Sequence, residues 1–95
     1  GAYTYWNGKK IKFWKVDIVS KEDFMTIFDE FTENEYKFKN IEPGTILYVD
    51  DKKGLYIKAK EDIISVQEIQ GENAKKMSIL EFIRGNKMQA GEILE

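Results

Sequence analysis

Ala2-Tyr3-Thr4-Tyr5-Trp6-Asn7-Gly8-Lys9-Lys10-Ile11-Lys12-Phe13-Trp14-Lys15-Val16-Asp17-Ile18 sets the architecture of this chain. Asn7-Gly8 is a strong hairpin signal, because a type I′ turn needs positive φ at both central residues and Asn and Gly tolerate it best. Aromatic residues precede the turn, at Tyr3, Tyr5 and Trp6, and an alternating run follows it, at Ile11, Phe13, Val16 and Ile18. The alternation slips its phase between Phe13 and Val16, with Trp14 and Lys15 at the slip. A β-bulge or sharp bend there is a common device for curling a sheet towards a barrel.

Outward from the hairpin the period changes. Ser20 is placed as an N-cap with Asp23 three residues on, close to a capping box. Phe24, Ile27, Phe28 and Phe31 recur on one helical face, which predicts a helix over about 21–32 that closes over the strands. Residues 34–42 read as a short strand or an irregular return. From Pro43-Gly44 the pattern is β again, with strands at Thr45–Val49, Leu55–Lys60 and Ile63–Ile69. In the second of these, Leu55, Ile57 and Ala59 share one face and Tyr56, Lys58 and Lys60 the other. Asp50-Asp51-Lys52-Lys53-Gly54 and Glu61-Asp62 are turns, and residues 71–76 a loop. Ser78 caps a short helix, Ile79–Arg84, which Gly85 ends, and Gly91 starts a last extended piece. The expected fold is mainly β: a small OB-like Greek-key barrel with one or two short helices, spanning 1–95 as one domain. An SH3-like barrel is the competing arrangement.

Composition narrows the function. The 95 residues contain no cysteine and no histidine, which removes thiolate and imidazole nucleophiles, bases and metal ligands. An enzyme built from this chain would depend on carboxylates, lysine or tyrosine alone, so a non-catalytic role is expected. Asp50-Asp51 and Glu61-Asp62 lack the spacing of a calcium loop, and no metal site is expected. No run approaches the ~18 apolar residues of a membrane span, the opening Gly1–Trp6 reads as a strand and a leader peptide is not expected, and the lack of cysteine fits a cytoplasmic setting. Net charge is −2 but unevenly placed: residues 1–20 carry four lysines against one aspartate, and residues 21–42 seven acids against three lysines.

Several segments resemble one family in order and spacing. Gly1-Ala2-Tyr3-Thr4-Tyr5, Asn7-Gly8-Lys9-Lys10-Ile11-Lys12 and Trp14-Lys15 resemble the opening of the C-terminal domain of methionyl-tRNA formyltransferases. Pro43-Gly44-Thr45-Ile46-Leu47 with Val49-Asp50 and Gly54-Leu55 is similar to its middle, and Lys75-Lys76-Met77-Ser78, Glu81-Phe82, Arg84-Gly85 and Gly91-Glu92 to its end. The acidic stretch at about 21–42 departs from the short connection expected at that point and reads as a helical insertion. The resemblance implies an OB-like barrel without catalytic residues. Formyl transfer from 10-formyltetrahydrofolate, by an Asn-His-Asp set, would belong to an N-terminal catalytic domain, the natural partner of this one. Gly1 falls inside the opening motif, so the chain is expected to be an excised C-terminal piece.

Within that resemblance the domain would assist binding of initiator methionyl-tRNA in translation initiation. Lys9, Lys10, Lys12, Lys58, Lys60, Arg84 and Lys87 are the candidate tRNA contacts, with Lys10/Lys12 and Lys58/Lys60 as two ladders on strand faces. The same lysines also suit a solvated outer face that blocks edge pairing. Tyr3, Tyr5, Trp6, Phe13 and Trp14 would stack on bases or, more in keeping with so thin a core, pack inside or against a linker. A domain of a sugar N-formyltransferase and a protein-interaction module are the alternatives.

Overall fold

The computed structural model describes residues 2–28 and 40–95. Strands β1 (Ala2–Trp6) and β2 (Lys9–Val19) form the expected hairpin, and the turn holds Asn7 at φ 52° and Gly8 at φ 78°. Helix α1 (Lys21–Ile27) follows; then come β3 (Ile46–Asp50), β4 (Gly54–Lys58), β5 (Ile63–Gly71), β6 (Lys76–Ser78) and helix α2 (Ile79–Gly85). All pairings are antiparallel, in the order β1-β2-β5-β4-β3, with β6 also on β5. The described residues are mainly β with two short helices, as the turn-and-strand series predicts. The strand β6 falls within the stretch read as a loop and the Ser78 cap, too short for a period of two to show.

The phase slip in β2 is real. Pairing with β5 shifts between Phe13 and Lys15 and again between Lys15 and Val16. Trp14 is the residue left unpaired and stays on the side of Lys12, two places before it, while Lys15, opposite Glu68, is shifted out of phase; Ile11 and Phe13 stay directed at the core. Beyond the bulge, the outer half of β2 has only β5 beside it among the described residues, because β1 ends at the Ala2–Phe13 pair. Val16 (41% exposed) and Ile18 (74%) therefore lie open, contrary to their place in the alternating pattern.

The sheet is buried on two sides. One face packs Ile11, Ile46, Leu55, Ile57, Val66 and Ile69 against Ile79 and Phe82 of α2. The other packs Leu47, Ile63, Tyr48 and Tyr56 against Phe24 and Phe28 of α1. Ser20 caps α1, its hydroxyl accepting the Asp23 amide at 3.1 Å, and Ser78 caps α2 in the same way through Glu81. Two corrections belong here. Ile27 is 46% exposed and does not share the buried face. Phe24, Phe28 and Met25 define the covered arc, and Ile27 sits about 100° of helical rotation from Phe28 on its far side. Helix α1 ends at Ile27, with Phe28 as its cap at φ −124°, short of the expected 32; Phe31 lies outside the described residues.

Among the described residues, strand pairing alone does not close the sheet into a ring. The C-terminal segment spans the gap between its two edges. On the β3 side the Ile46 amide donates to Glu92 O, the Gly91 amide to Ile46 O and the Leu94 amide to Gly44 O, each at 2.8 Å. On the β1 side the Glu95 amide donates to Tyr5 O at 3.0 Å, and the Trp6 indole N–H reaches the Glu92 carboxylate at 3.2 Å. Backbone groups that an open edge would leave unpaired are thereby satisfied.

The β3–β4 turn is built on Asp50. Its carboxylate accepts the backbone N–H groups of Lys53 and Lys52 and the Tyr48 hydroxyl. The Lys53 amide first, then the Tyr48 hydroxyl, with smaller help from Lys52 and Gly54, hold the Asp50 pKa at about 2, below its ordinary 3.8. A carboxylate depressed in the folded state contributes stability above its unfolded pKa and loses it as pH falls towards the folded one. We expect Asp50→Asn to flatten the stability–pH profile between about pH 4 and pH 2, with little further change of slope above pH 5. Urea midpoints across pH 2–6 check this; an unchanged acid limb would show that the turn does not need the charge.

Candidate nucleic-acid interface

Residues directly opposite in an antiparallel sheet project on the same side. The pairings Tyr3–Lys12, Lys12–Gln70 and Gln70–Lys76 therefore run a single row across β1, β2, β5 and β6. The neighbouring pair Tyr5–Lys10 extends it. Alternation sends the other set inward: Phe13, Ile69 and Met77 join the core, and so does Trp6.

Trp14, two residues after Lys12 on the same side of β2, joins the outward row. Its indole N–H donates to Gln70 Oε1 at 2.8 Å, and Gln70 Nε2 donates to Ala74 O at 2.8 Å, which ties the ring to the β5–β6 turn. Lys12 Nζ stands 4.3 Å and Lys76 Nζ 5.3 Å from the Trp14 ring centroid. Lys10 Nζ stands 4.2 Å from the Tyr3 ring, and Tyr3 meets Tyr5 edge to face at 6.3 Å. Tyr3 is 59%, Trp14 46% and Tyr5 42% exposed. A shallow cleft lined by Lys10, Lys12, Gln70 and the Glu72-Asn73 turn borders the row. The result is an exposed face of three aromatic rings and three ammonium groups, with Glu72 at its rim and Glu68, two residues from Gln70 and opposite Ser78, on the same side.

The remaining candidate lysines go elsewhere. Lys58 is only 5% exposed, and its ammonium donates to Ala59 O at 3.0 Å. It shares the side of β4 that carries Tyr56, which α1 covers, so the expected Lys58/Lys60 ladder is not presented to solvent. Lys60 is exposed, in the turn after β4, away from the Lys10/Lys12 row in the pairing order. Lys9 lies beside Trp6 at the hairpin end, in a second hollow with Ile11 and Phe82. Arg84, at the end of α2, is paired at 3.9 Å with Asp51, both largely exposed, a contact worth about 0–1 kcal/mol. Lys87 is exposed just beyond α2. Sequence reading grouped Lys10 with Lys12 but missed their alliance with Gln70 and Lys76, which depends on the β2–β5–β6 register and has no local signal.

The face offers cations and π-surfaces; among the described residues no group of three or more acids, histidines or cysteines is placed to hold a metal ion. No helix among them is long and apolar enough to cross a membrane. The fold and the face together define a class: a small curled antiparallel sheet with a cation–aromatic outer surface.

The family model described as formyl transferase, C-terminal domain, matches residues 1–87, and the chain belongs to that family. It is 34% identical over 94 residues to methionyl-tRNA formyltransferase from Ruminiclostridium cellulolyticum, covering 99% of this chain and 25% of that protein. It is 35% identical over 95 residues to methionyl-tRNA formyltransferase from Dictyoglomus thermophilum, covering 100% of this chain and 26% of the relative. The chain thus spans about a quarter of the length of the curated relatives it matches.

Proposed function

We propose that this domain is the tRNA-binding appendage of a cytoplasmic methionyl-tRNA formyltransferase. It holds phosphates of the initiator methionyl-tRNA while a separate catalytic domain transfers formyl from 10-formyltetrahydrofolate. The observation that carries the reading is the convergence of Lys10, Lys12 and Lys76 on one exposed face of the sheet, together with family membership. Net charge is −2, so long-range attraction to a polyanion is small and the local lysines must supply it. Binding by this chain alone is therefore weak.

Each lysine that neutralises a duplex phosphate releases a counterion and lowers the slope of log K against log[salt] by about 0.9. Titrating tRNA into the chain across a salt series should give a negative slope, and Lys10→Ala/Lys12→Ala should reduce it by roughly two. Lys58→Ala should leave the slope as it is, since that ammonium does not face solvent. No binding at low salt, or a slope indifferent to Lys10 and Lys12, overturns the reading.

A further inference from the structure

The phosphate-binding role leaves the rings on the same face unexplained. Tyr3, Tyr5 and Trp14 are exposed, although a thin core would gain by taking them in. Each is fixed without being buried: Tyr3 against Lys10 and Tyr5, Trp14 by the Gln70 hydrogen bond and by Lys12. Fixed exposed rings lose little freedom when a flat ligand settles on them. Ammonium groups stand within 4.2–5.3 Å of the ring centroids, the range over which one nucleotide can offer its base to a ring and its phosphate to the neighbouring lysine.

We propose that this face binds unpaired nucleotides, with bases stacked on Trp14 and Tyr3 and the flanking phosphates held by Lys10, Lys12 and Lys76. The proposal rests on the tRNA reading above and specifies which part of such a ligand the face takes: a single-stranded stretch instead of duplex backbone alone. Magnitudes favour it. An exposed cation–π contact is worth about two- to five-fold in an equilibrium constant, and base stacking on an aromatic side chain about five- to a hundred-fold. A base therefore displaces an ammonium from a ring, and the freed ammonium turns to the phosphate. Trp14 has the larger ring and two lysines beside it, so it is the stronger of the two stacking positions.

The test compares a single-stranded RNA oligonucleotide with a blunt RNA duplex carrying the same number of phosphates. The single strand should bind at least about ten-fold more tightly at equal salt. Trp14→Ala and Tyr3→Ala should each weaken single-strand binding by about five- to a hundred-fold, leave duplex binding unchanged and leave the salt slope unchanged. Trp14→Phe, which keeps a ring, should retain most of the affinity. In a Trp6→Phe background the remaining indole should be quenched by the single strand and not by the duplex. Equal affinity for the two ligands, unquenched Trp14, or ring variants that bind like the parent overturn the stacking proposal. If Lys10→Ala/Lys12→Ala still flattens the slope for tRNA, the phosphate reading survives that failure. If neither ligand nor tRNA binds at low salt, both fall together.

Discussion

Replacing Phe28 by alanine is expected to cost about 3–5 kcal/mol of folding free energy, the range for emptying a buried phenylalanine site. Phe28 is the C-cap of α1 and only 4% exposed. Its ring lies 4.2 Å from that of Tyr48, 4.8 Å from Phe24 and 5.0 Å from Tyr56, so truncation empties the centre of the cluster under the helix. Small domains are stable by about 5–15 kcal/mol in all, so the loss takes a large share of the total. Urea unfolding provides the measurement and Ile27→Ala the control. Ile27 is on the same helix but 46% exposed, and its removal should stay within about 0.5 kcal/mol. If Phe28→Ala leaves the urea midpoint in place, α1 does not hold the second face of the sheet, and its apolar side is free to dock a partner.

Gly44→Ala is the second large effect. Gly44 has φ +95°, and a Cβ there would meet the Leu94 carbonyl oxygen at 2.7 Å. Both main-chain groups of Gly44 are committed: its N–H donates to Lys58 O at 2.7 Å and its C=O accepts the Leu94 amide at 2.8 Å. The strained dihedral alone costs about 1–3 kcal/mol, and relieving the clash requires the C-terminal segment to move off β3. Gly8→Ala separates the two contributions, since Gly8 has φ +78° and open space around it. We expect Gly44→Ala to be clearly the more destabilising of the two, and to speed hydrogen exchange at the Leu94 and Glu95 amides, which Gly8→Ala does not touch. Equal losses would show that the C-terminal segment contributes little to tying β3 to β1.

The elements with local causes were legible from residues alone. Asn7-Gly8 dictates its turn through backbone sterics, the slip between Phe13 and Val16 marks the bulge, and Ser20 and Ser78 announce helix starts through their hydroxyls. The lack of cysteine and histidine narrows the available chemistry without any structure. The candidate face was half legible: Lys10 and Lys12 share a side by alternation, which needs only their spacing of two.

What tertiary structure decided is which surfaces other elements cover. Lys58 and Lys10 look alike in sequence, each one step from an apolar neighbour on a strand. The packing of α1 against the Tyr56 side of β4 buries the first, and among the described residues no element covers the outer β1–β2 face that carries the second. Ile18 and Ile11 likewise occupy similar positions in an alternating run. One is 74% exposed and the other 2%, because only Ile11 lies on the part of the sheet beneath α2. The union of Tyr3, Lys12, Gln70 and Lys76 in one row depends on the register of three strand pairs, of which the central one, β2–β5, is joined over a long stretch of chain. Periodicity reports which residues share a side of one element; it carries no information about what that side meets, because the covering element is chosen by the burial of both partners at once.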